Sequence, residues 1–154
     1  MQDLKTVECE SFVRHWSSDL IVLAADSDIE VMVENKHWHM DGTFAIAPAE
    51  FEQVYTIHAL CGELLVPCIY ALMKRRTESA YVALFEILKV LKGTLEPLTV
   101  MLDFEMQVVR ALPWYFRLSV LSVVVFTFVK MCLDACSLIV LQCLTEKKQS
   151  FHCK

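Results

Sequence analysis

The chain has 154 residues, of which 56% are hydrophobic, so it is long enough for one domain of ordinary size with its own core. Its net charge of -5 excludes a protein that binds nucleic acid through an overall positive charge. The charge is unevenly distributed, because residues 1–116 carry 9 Lys and Arg against 17 Asp and Glu, whereas residues 117–154 carry 5 against 2. The composition therefore changes near Arg117.

Seven cysteines are present, and four of them, Cys132, Cys136, Cys143 and Cys153, crowd the C-terminal part of the chain. The number is odd, the spacings match no disulfide framework, and the first ten residues are polar and acidic rather than a secretory signal. We therefore expect a reducing compartment, nuclear or cytoplasmic. Cys132 and Cys136 with His152 lack the paired spacing of a zinc site, so incidental thiols are the better interpretation.

Residues 1–36 are weakly patterned and are interpreted as a lead-in segment. Leu20–Ala24 is a short apolar run that Asp26-Ser27-Asp28 interrupts. This pattern is typical of a strand followed by a turn, or of the end of a helix. No catalytic motif occurs in this segment.

Three strand-like segments follow, and we expect them to form an antiparallel meander. His37–Ala45 is rich in aromatic residues and is expected to end as a strand at Gly42-Thr43. Val54–Leu60 is β-branched and aromatic, and Leu64–Leu72 is largely apolar. Pro67 predicts an edge position or a bulge in the third segment, because proline cannot donate to a central ladder.

A helix, a strand and a second helix come next. Thr77 is a suitable N-cap for an amphipathic helix, and Gly93 stands where a C-terminal glycine is expected. Leu98–Leu102 is a continuous apolar run typical of a buried strand, and Phe104–Leu112 has helical spacing. The order strand, strand, strand, helix, strand, helix predicts the first part of a ribonuclease-H-like fold.

Asp41 and Asp103 lie at the ends of the first and fourth of these strands. In a ribonuclease-H-like fold those two strands are neighbours, so the two carboxylates would come together. Paired carboxylates suit a hard divalent cation such as Mg²⁺ or Mn²⁺, especially when a phosphate completes its ligand shell. A structural role is the alternative, since Asp before Gly is common in turns and Asp after a strand is common as a helix cap.

An ordered set of residues at characteristic spacings runs through residues 38–111. The set is Trp38, Asp41-Gly42-Thr43-Phe44, Pro48, Phe51, Gln53, Tyr55-Thr56-Ile57-His58, Pro67, Tyr70-Ala71-Leu72, Thr77-Glu78, Tyr81, Phe85, Asp103-Phe104-Glu105 and Ala111. This set closely resembles the catalytic domain of Mutator-like element transposases. The resemblance covers about half of the chain, and it depends on the whole set because Asp-Gly-Thr-Phe alone is common.

The resemblance implies a cut-and-insert DNA transposase in which an Asp-Asp-Glu set holds two Mg²⁺ or Mn²⁺ ions. One ion activates water or a DNA 3′-hydroxyl, and the other stabilises the leaving oxygen. By position Asp41 would be the first acid and Asp103 the second, and terminal-repeat DNA would be the partner. His58 belongs to the pattern, but we expect it to be a core residue rather than a ligand. We expect Glu105 to face solvent or to cap the helix.

The chain departs from the family after about Leu112. The family continues with a strand that ends in Gly-Cys-x-Phe-His-Phe, a helical region and a third acid. Here Glu146 is the only later glutamate, and its polar terminal context makes it a poor third ligand. We therefore divide the chain into a partial transposase domain, 37–112, and a divergent apolar tail, 113–154. We expect a truncated, catalytically inactive remnant whose sheet lacks its fifth strand, which self-associates, and which does not bind metal firmly.

The tail contains two apolar runs, Leu118–Val129 and Leu138–Leu144, with Lys130 and Asp134 between them. A membrane span needs about 20 mainly apolar residues, and each central charge costs about 2.5–3.5 kcal/mol. The tail is therefore compatible with a marginal membrane span, or with a core strand followed by a helix. The corresponding alternatives in function are a tail-anchored membrane protein and a small protein that binds a partner through its apolar tail.

A third interpretation is preferred, in which the tail is a transposase segment translated in the wrong reading frame. Val124–Cys132 can be encoded as GTC GTT TTC ACT TTT GTC AAA ATG TGT. With a preceding T, the neighbouring frame reads TGT CGT TTT CAC TTT TGT CAA AAT GTG, which encodes Cys-Arg-Phe-His-Phe-Cys-Gln-Asn-Val. This string resembles the missing family segment and lies at a suitable distance from Asp103. A frame change would also account for the charge reversal and the cysteine excess.

Overall fold

The computed structural model describes residues 12–103, 105–117 and 120–124, and it has the mixed α/β architecture that the sequence predicts. Its elements are β1 (Val13–Trp16), β2 (Leu20–Leu23), α1 (Asp26–Glu34), β3 (His37–Thr43), β4 (Gln53–Cys61), β5 (Leu64–Met73), α2 (Glu78–Leu91), β6 (Thr99–Asp103), α3 (Met106–Tyr115) and β7 (Val120–Val124). One sheet contains all seven strands in the order β1-β2-β5-β4-β3-β6-β7. Neighbouring strands from β1 to β3 are antiparallel, whereas β3, β6 and β7 are parallel.

The strands β3, β4 and β5 form the predicted antiparallel meander. The turn between β4 and β5 contains Gly62, whose φ of 63° lies in the left-handed region that favours glycine. Pro67 belongs to β5, which lies between β2 and β4 in the sheet. Strand β2 pairs with β5 only along Tyr70–Met73, so this pairing does not include Pro67. The register of β4 against β5 shifts between Ile57 and His58, opposite Pro67. The bulge that this proline predicts is therefore present.

The hydrophobic core lies between the helices and one face of the sheet. The indole Nε1 of Trp38 in β3 donates a hydrogen bond to the carbonyl of Asn35 at 2.9 Å, just after α1. The Trp38 ring also meets Phe116 at the end of α3, with 5.6 Å between ring centroids. Tyr55 in β4 meets Tyr81 in α2 at 5.1 Å, again edge to face. All three helices therefore contribute to covering the same face.

Helix α2 begins as the sequence predicts but ends differently. The Thr77 hydroxyl accepts a hydrogen bond from the Ala80 amide at 3.3 Å, which is an N-cap. At the other end Lys92 is extended, and its amide donates to a helix carbonyl. Gly93 follows in a turn, and among the described glycines only Gly62 has a positive φ. The glycine cap expected at Gly93 is therefore not formed.

The lead-in segment belongs to the sheet, because β1 and β2 form a hairpin and β2 pairs with β5. Of the two interpretations of the run that begins at Leu20, the strand is the one found. The expected turn at Asp26 and Asp28 is wrong, since both residues lie in the first turn of α1. Acidic side chains there interact favourably with the helix dipole. Asp26 also forms an ion pair with Arg14 at 2.8 Å.

The expected helix range, 104–112, placed the end of α3 before Pro113, and this prediction is wrong. It runs over Met106–Tyr115 and includes Pro113 close to its C-terminal end. The amide of Phe116 donates to the carbonyl of Leu112 at 3.1 Å, and the Phe116 side chain is 2% exposed. Burial of this ring in the core therefore accounts for the extra turn beyond Pro113.

Strand β7 pairs in parallel with β6 from Thr99 to Asp103. The expectation that the sheet lacks a fifth strand is therefore wrong, because Val120–Val124 of the tail forms a strand that pairs with β6. Residues 125–154, including Glu146 and the four tail cysteines, lie outside the described residues. Across the part of the chain that the structure describes, no helix has both the length and the apolarity to cross a membrane.

Candidate metal site at the ends of β3 and β6

The parallel pairing of β3 with β6 brings Asp41 and Asp103 to the same edge of the sheet. The register aligns Met40 with Leu102, so the next residue in each strand is an aspartate. Met40 and Leu102 are buried, at 2% and 3% exposure, and point into the core. Because side chains alternate along a strand, Asp41 and Asp103 lie on the opposite face, where both are exposed. The structure therefore brings together the two acids that the sequence analysis selected.

Negative charge is concentrated at this edge. The pKa of Asp103 is raised, first by partial burial and second by the charge of Asp41. The pKa of the buried Tyr55 is raised well above its usual range by desolvation and then by Tyr81, Glu105, Asp41 and Asp103. A cation bound between the two aspartates would relieve their repulsion, which is the electrostatic basis of a two-carboxylate metal site.

A groove of about 620 Å³ opens on the face of the sheet opposite the core, and the aspartate pair lies within it. His39 of β3 and His58 of β4 are direct cross-strand partners beside the pair. The pKa of His39 is lowered by partial burial and by His58, so its imidazole is neutral near pH 7. His58 is half-buried and lines this groove, so the expectation of a core position for it is wrong. The side chains of Leu65 and Met101 form an apolar part of the wall of this groove.

The aspartate pair fits a hard cation in the chemistry of its donors but not in their number. Among the described residues, no group of three or more His, Cys, Asp and Glu side chains could hold a metal ion. Asp41 and Asp103 would therefore supply the protein oxygens for Mg²⁺ or Mn²⁺, and water or phosphate would supply the remaining ligands. Glu146, the only later glutamate, is outside the described residues.

Glu105 is the residue near the site that sequence analysis placed wrongly. It occupies the N-cap position of α3 without a side-chain capping bond, and its side chain is only 16% exposed. Its carboxylate Oε1 lies 3.4 Å from Nε of Arg76. The pKa of Tyr81 is raised by burial and also by the nearby Glu105 carboxylate. The sequence carries no local signal for this position, because the fold alone brings Arg76 and Glu105 together.

A larger groove of about 780 Å³ lies between the β1–β2 hairpin and α2. Arg14, Arg75 and Thr77 are among the residues that line it, and the aspartate pair is not. Arg14 is already paired with Asp26. Volume alone therefore does not identify the functional site, and the charge arrangement favours the smaller groove.

No family model matches the chain, and no curated protein or solved structure matches it either. The resemblance to Mutator-like transposases consequently stays a prediction from the residues of this chain. A function for the protein can therefore be inferred only from those residues and from the geometry of the described elements.

Proposed function

We propose that this protein is a transposase-like protein derived from a Mutator-like element, with a ribonuclease-H-like fold and without DNA-cleaving activity. The observation that supports the proposal is the parallel register of β3 and β6, which aligns Met40 with Leu102, the residues just before Asp41 and Asp103. The element order from β3 to α3 is the order that the resemblance implies. The reducing compartment expected from the cysteines suits an intracellular, DNA-directed origin.

Asp41 and Asp103 would hold one divalent cation, Mg²⁺ or Mn²⁺, which in this chemistry stabilises charge on the phosphodiester and activates an oxygen nucleophile. The ring N–H groups of His39 and His58, which line the same groove, would donate hydrogen bonds to a phosphate there. No third carboxylate joins the pair among the described residues. We expect the chain's own groups to bind and orient a phosphate but to be insufficient for cleavage.

Metal binding and DNA cleavage can be tested on the same purified chain. Mn²⁺ added in small amounts should broaden the amide NMR signals next to Asp41 and Asp103, and Asp41→Asn should abolish the effect. Incubation with terminal-repeat DNA and Mn²⁺ should give no nicking above background. Nicking that disappears in Asp41→Asn would contradict the proposed loss of activity. Absence of the Asp41-dependent broadening would contradict the proposed metal site.

A second candidate is a small interaction protein, favoured by apolar side chains that remain exposed. Leu64, Leu65 and Met101 are 71%, 48% and 38% exposed. Such residues can form a docking surface when they are contiguous. Fractionation of a tagged chain distinguishes the candidates: a soluble complex of fixed size favours an interaction protein, and carbonate-resistant membrane association favours a tail anchor.

A further inference from the structure

A fully buried glutamine lies behind the candidate site. Gln53 is 0% exposed, and among the described residues no other buried side chain is an amide or carries a charge. Its Nε2 donates to the Tyr81 hydroxyl at 2.7 Å and lies 3.3 Å from Sδ of Met73. A buried amide costs free energy unless it is hydrogen-bonded, so an apolar residue would be the simpler solution for a position that only fills the core.

The other end of this amide contacts the backbone that follows Asp41. A Cβ built on Gly42 would lie 2.7 Å from Oε1 of Gln53, which is closer than side-chain carbons approach such atoms. Because Nε2 of Gln53 donates a hydrogen bond to the Tyr81 hydroxyl, the amide cannot rotate away from Gly42 without breaking that hydrogen bond. The Gln53 side chain thus rests directly against Gly42, the residue after the first aspartate.

Tyr81 extends the same set of contacts to the segment that follows Asp103. The carboxylate of Glu105, two residues beyond the second aspartate, lies near the hydroxyl of Tyr81 and raises its pKa. Arg76 forms an ion pair with that carboxylate at 3.4 Å. The Arg76 guanidinium also lies 4.7 Å from the ring centroid of Phe44, shortly after Gly42. These contacts therefore join the two backbone segments that leave the aspartate pair.

We propose that Gln53, Tyr81 and Glu105, called here the polar cluster, are positioning residues that hold Asp41 and Asp103 at the separation a divalent cation requires. The polar cluster lies on the core side of the sheet, whereas the aspartates lie on the open side, so it acts through the backbone. Outer-shell partners of this kind typically change metal affinity by about 10- to 100-fold when they are lost. This inference rests on the proposed function, since it concerns the same metal site.

The test uses the full chain and two variants of the polar cluster, Tyr81→Phe and Glu105→Gln. Tyr115→Phe is the matched control, because its hydroxyl donates to Glu86 at 2.9 Å on the exposed surface of the same helix pair. For each protein, ¹⁵N relaxation in EDTA gives the order parameters of the Gly42 and Glu105 amides. A Mn²⁺ titration then gives the concentration that broadens the amides beside the aspartates by half.

Tyr81→Phe should lower both order parameters and raise the half-broadening Mn²⁺ concentration by about 10-fold or more, while Tyr115→Phe leaves both unchanged. Glu105→Gln, which keeps the shape of the side chain, should have a smaller effect in the same direction. If Tyr81→Phe does not fold, Glu105→Gln is compared with Tyr115→Phe instead. Normal wild-type broadening with an unchanged Mn²⁺ response in the variants overturns the inference alone. Absence of wild-type broadening overturns the proposed function, and the inference with it.

Discussion

Gly42 shows at the scale of one residue how closely the core approaches the carboxylate pair. A Cβ added to Gly42 would lie 2.7 Å from Oε1 of Gln53 and 3.5 Å from the Tyr55 ring. Its φ is not positive, so the requirement for glycine is one of space rather than of backbone conformation. Asp-Gly therefore occurs here because the strand must pass over a buried amide, not because it forms a turn.

Gly42→Ala should destabilise the protein by about 1–3 kcal/mol, because the added methyl forces Gln53 away from its hydrogen-bonded position. Gly93→Ala is the control, since the nearest atom to its Cβ is a carbonyl oxygen 3.9 Å away. It should change stability by no more than about 0.5 kcal/mol. Urea unfolding followed by circular dichroism measures both. Equal free energies of unfolding for the two variants would contradict the close contact at Gly42.

At the scale of elements, β7 decides whether β6 lies inside the sheet or at its edge. β6 carries Asp103 and has β3 on one side and β7 on the other. An unpaired parallel strand would present free backbone groups and apolar side chains, which promote association. Strand β7 supplies that pairing from a part of the chain that the sequence analysis assigned to a divergent tail.

Removal of residues 118–154 should therefore lower the stability of the protein more than removal of residues 125–154. The shorter chain loses β7, exposes the edge of β6, and should aggregate or melt at a lower temperature. The longer chain keeps every described strand and should remain folded. Light scattering coupled to size exclusion, with thermal melts, compares the two. If both truncated chains are equally monodisperse and equally stable, β7 contributes nothing to the sheet.

At the scale of the whole molecule, the reversal of charge near Arg117 still needs an explanation. Pairing of β7 with β6 does not contradict a change of reading frame, because ladder hydrogen bonds use the backbone and accept any suitably apolar strand. Val120–Val124 is such a strand in composition. A segment translated in the wrong frame can therefore pair with β6 and extend a sheet whose other strands are already formed.

Sequencing of the locus tests the change of frame. The frame one nucleotide back should encode a string like Gly-Cys-x-Phe-His-Phe over the codons of Val124–Cys132, followed by a helix-forming segment. A frame without that string before its first stop would refute the frame change. The apolar tail would then need an explanation as a partner-binding or membrane segment, which the fractionation experiment examines.

Residue order alone was enough to predict the local elements and the approximate location of the carboxylates. Alternation in β4, the N-cap at Thr77 and the position of Asp103 at the end of β6 all derive from residue order, because they depend on neighbours in the chain. Strand β3 continues two residues beyond Asp41, to Thr43. Even the bulge at Pro67 was visible, since proline carries its constraint with it.

Only the tertiary structure decided which strands lie at the edges and where polar side chains find partners. The hairpin β1–β2 joins β5, and β7 joins β6, through pairings between distant segments that no local pattern specifies. Helix α3 continues past Pro113 because Phe116 is buried against Trp38. The Glu105 side chain is largely buried because the Arg76 guanidinium lies beside its carboxylate. Such outcomes depend on contacts between segments far apart in the sequence, whose free energies outweigh local preference.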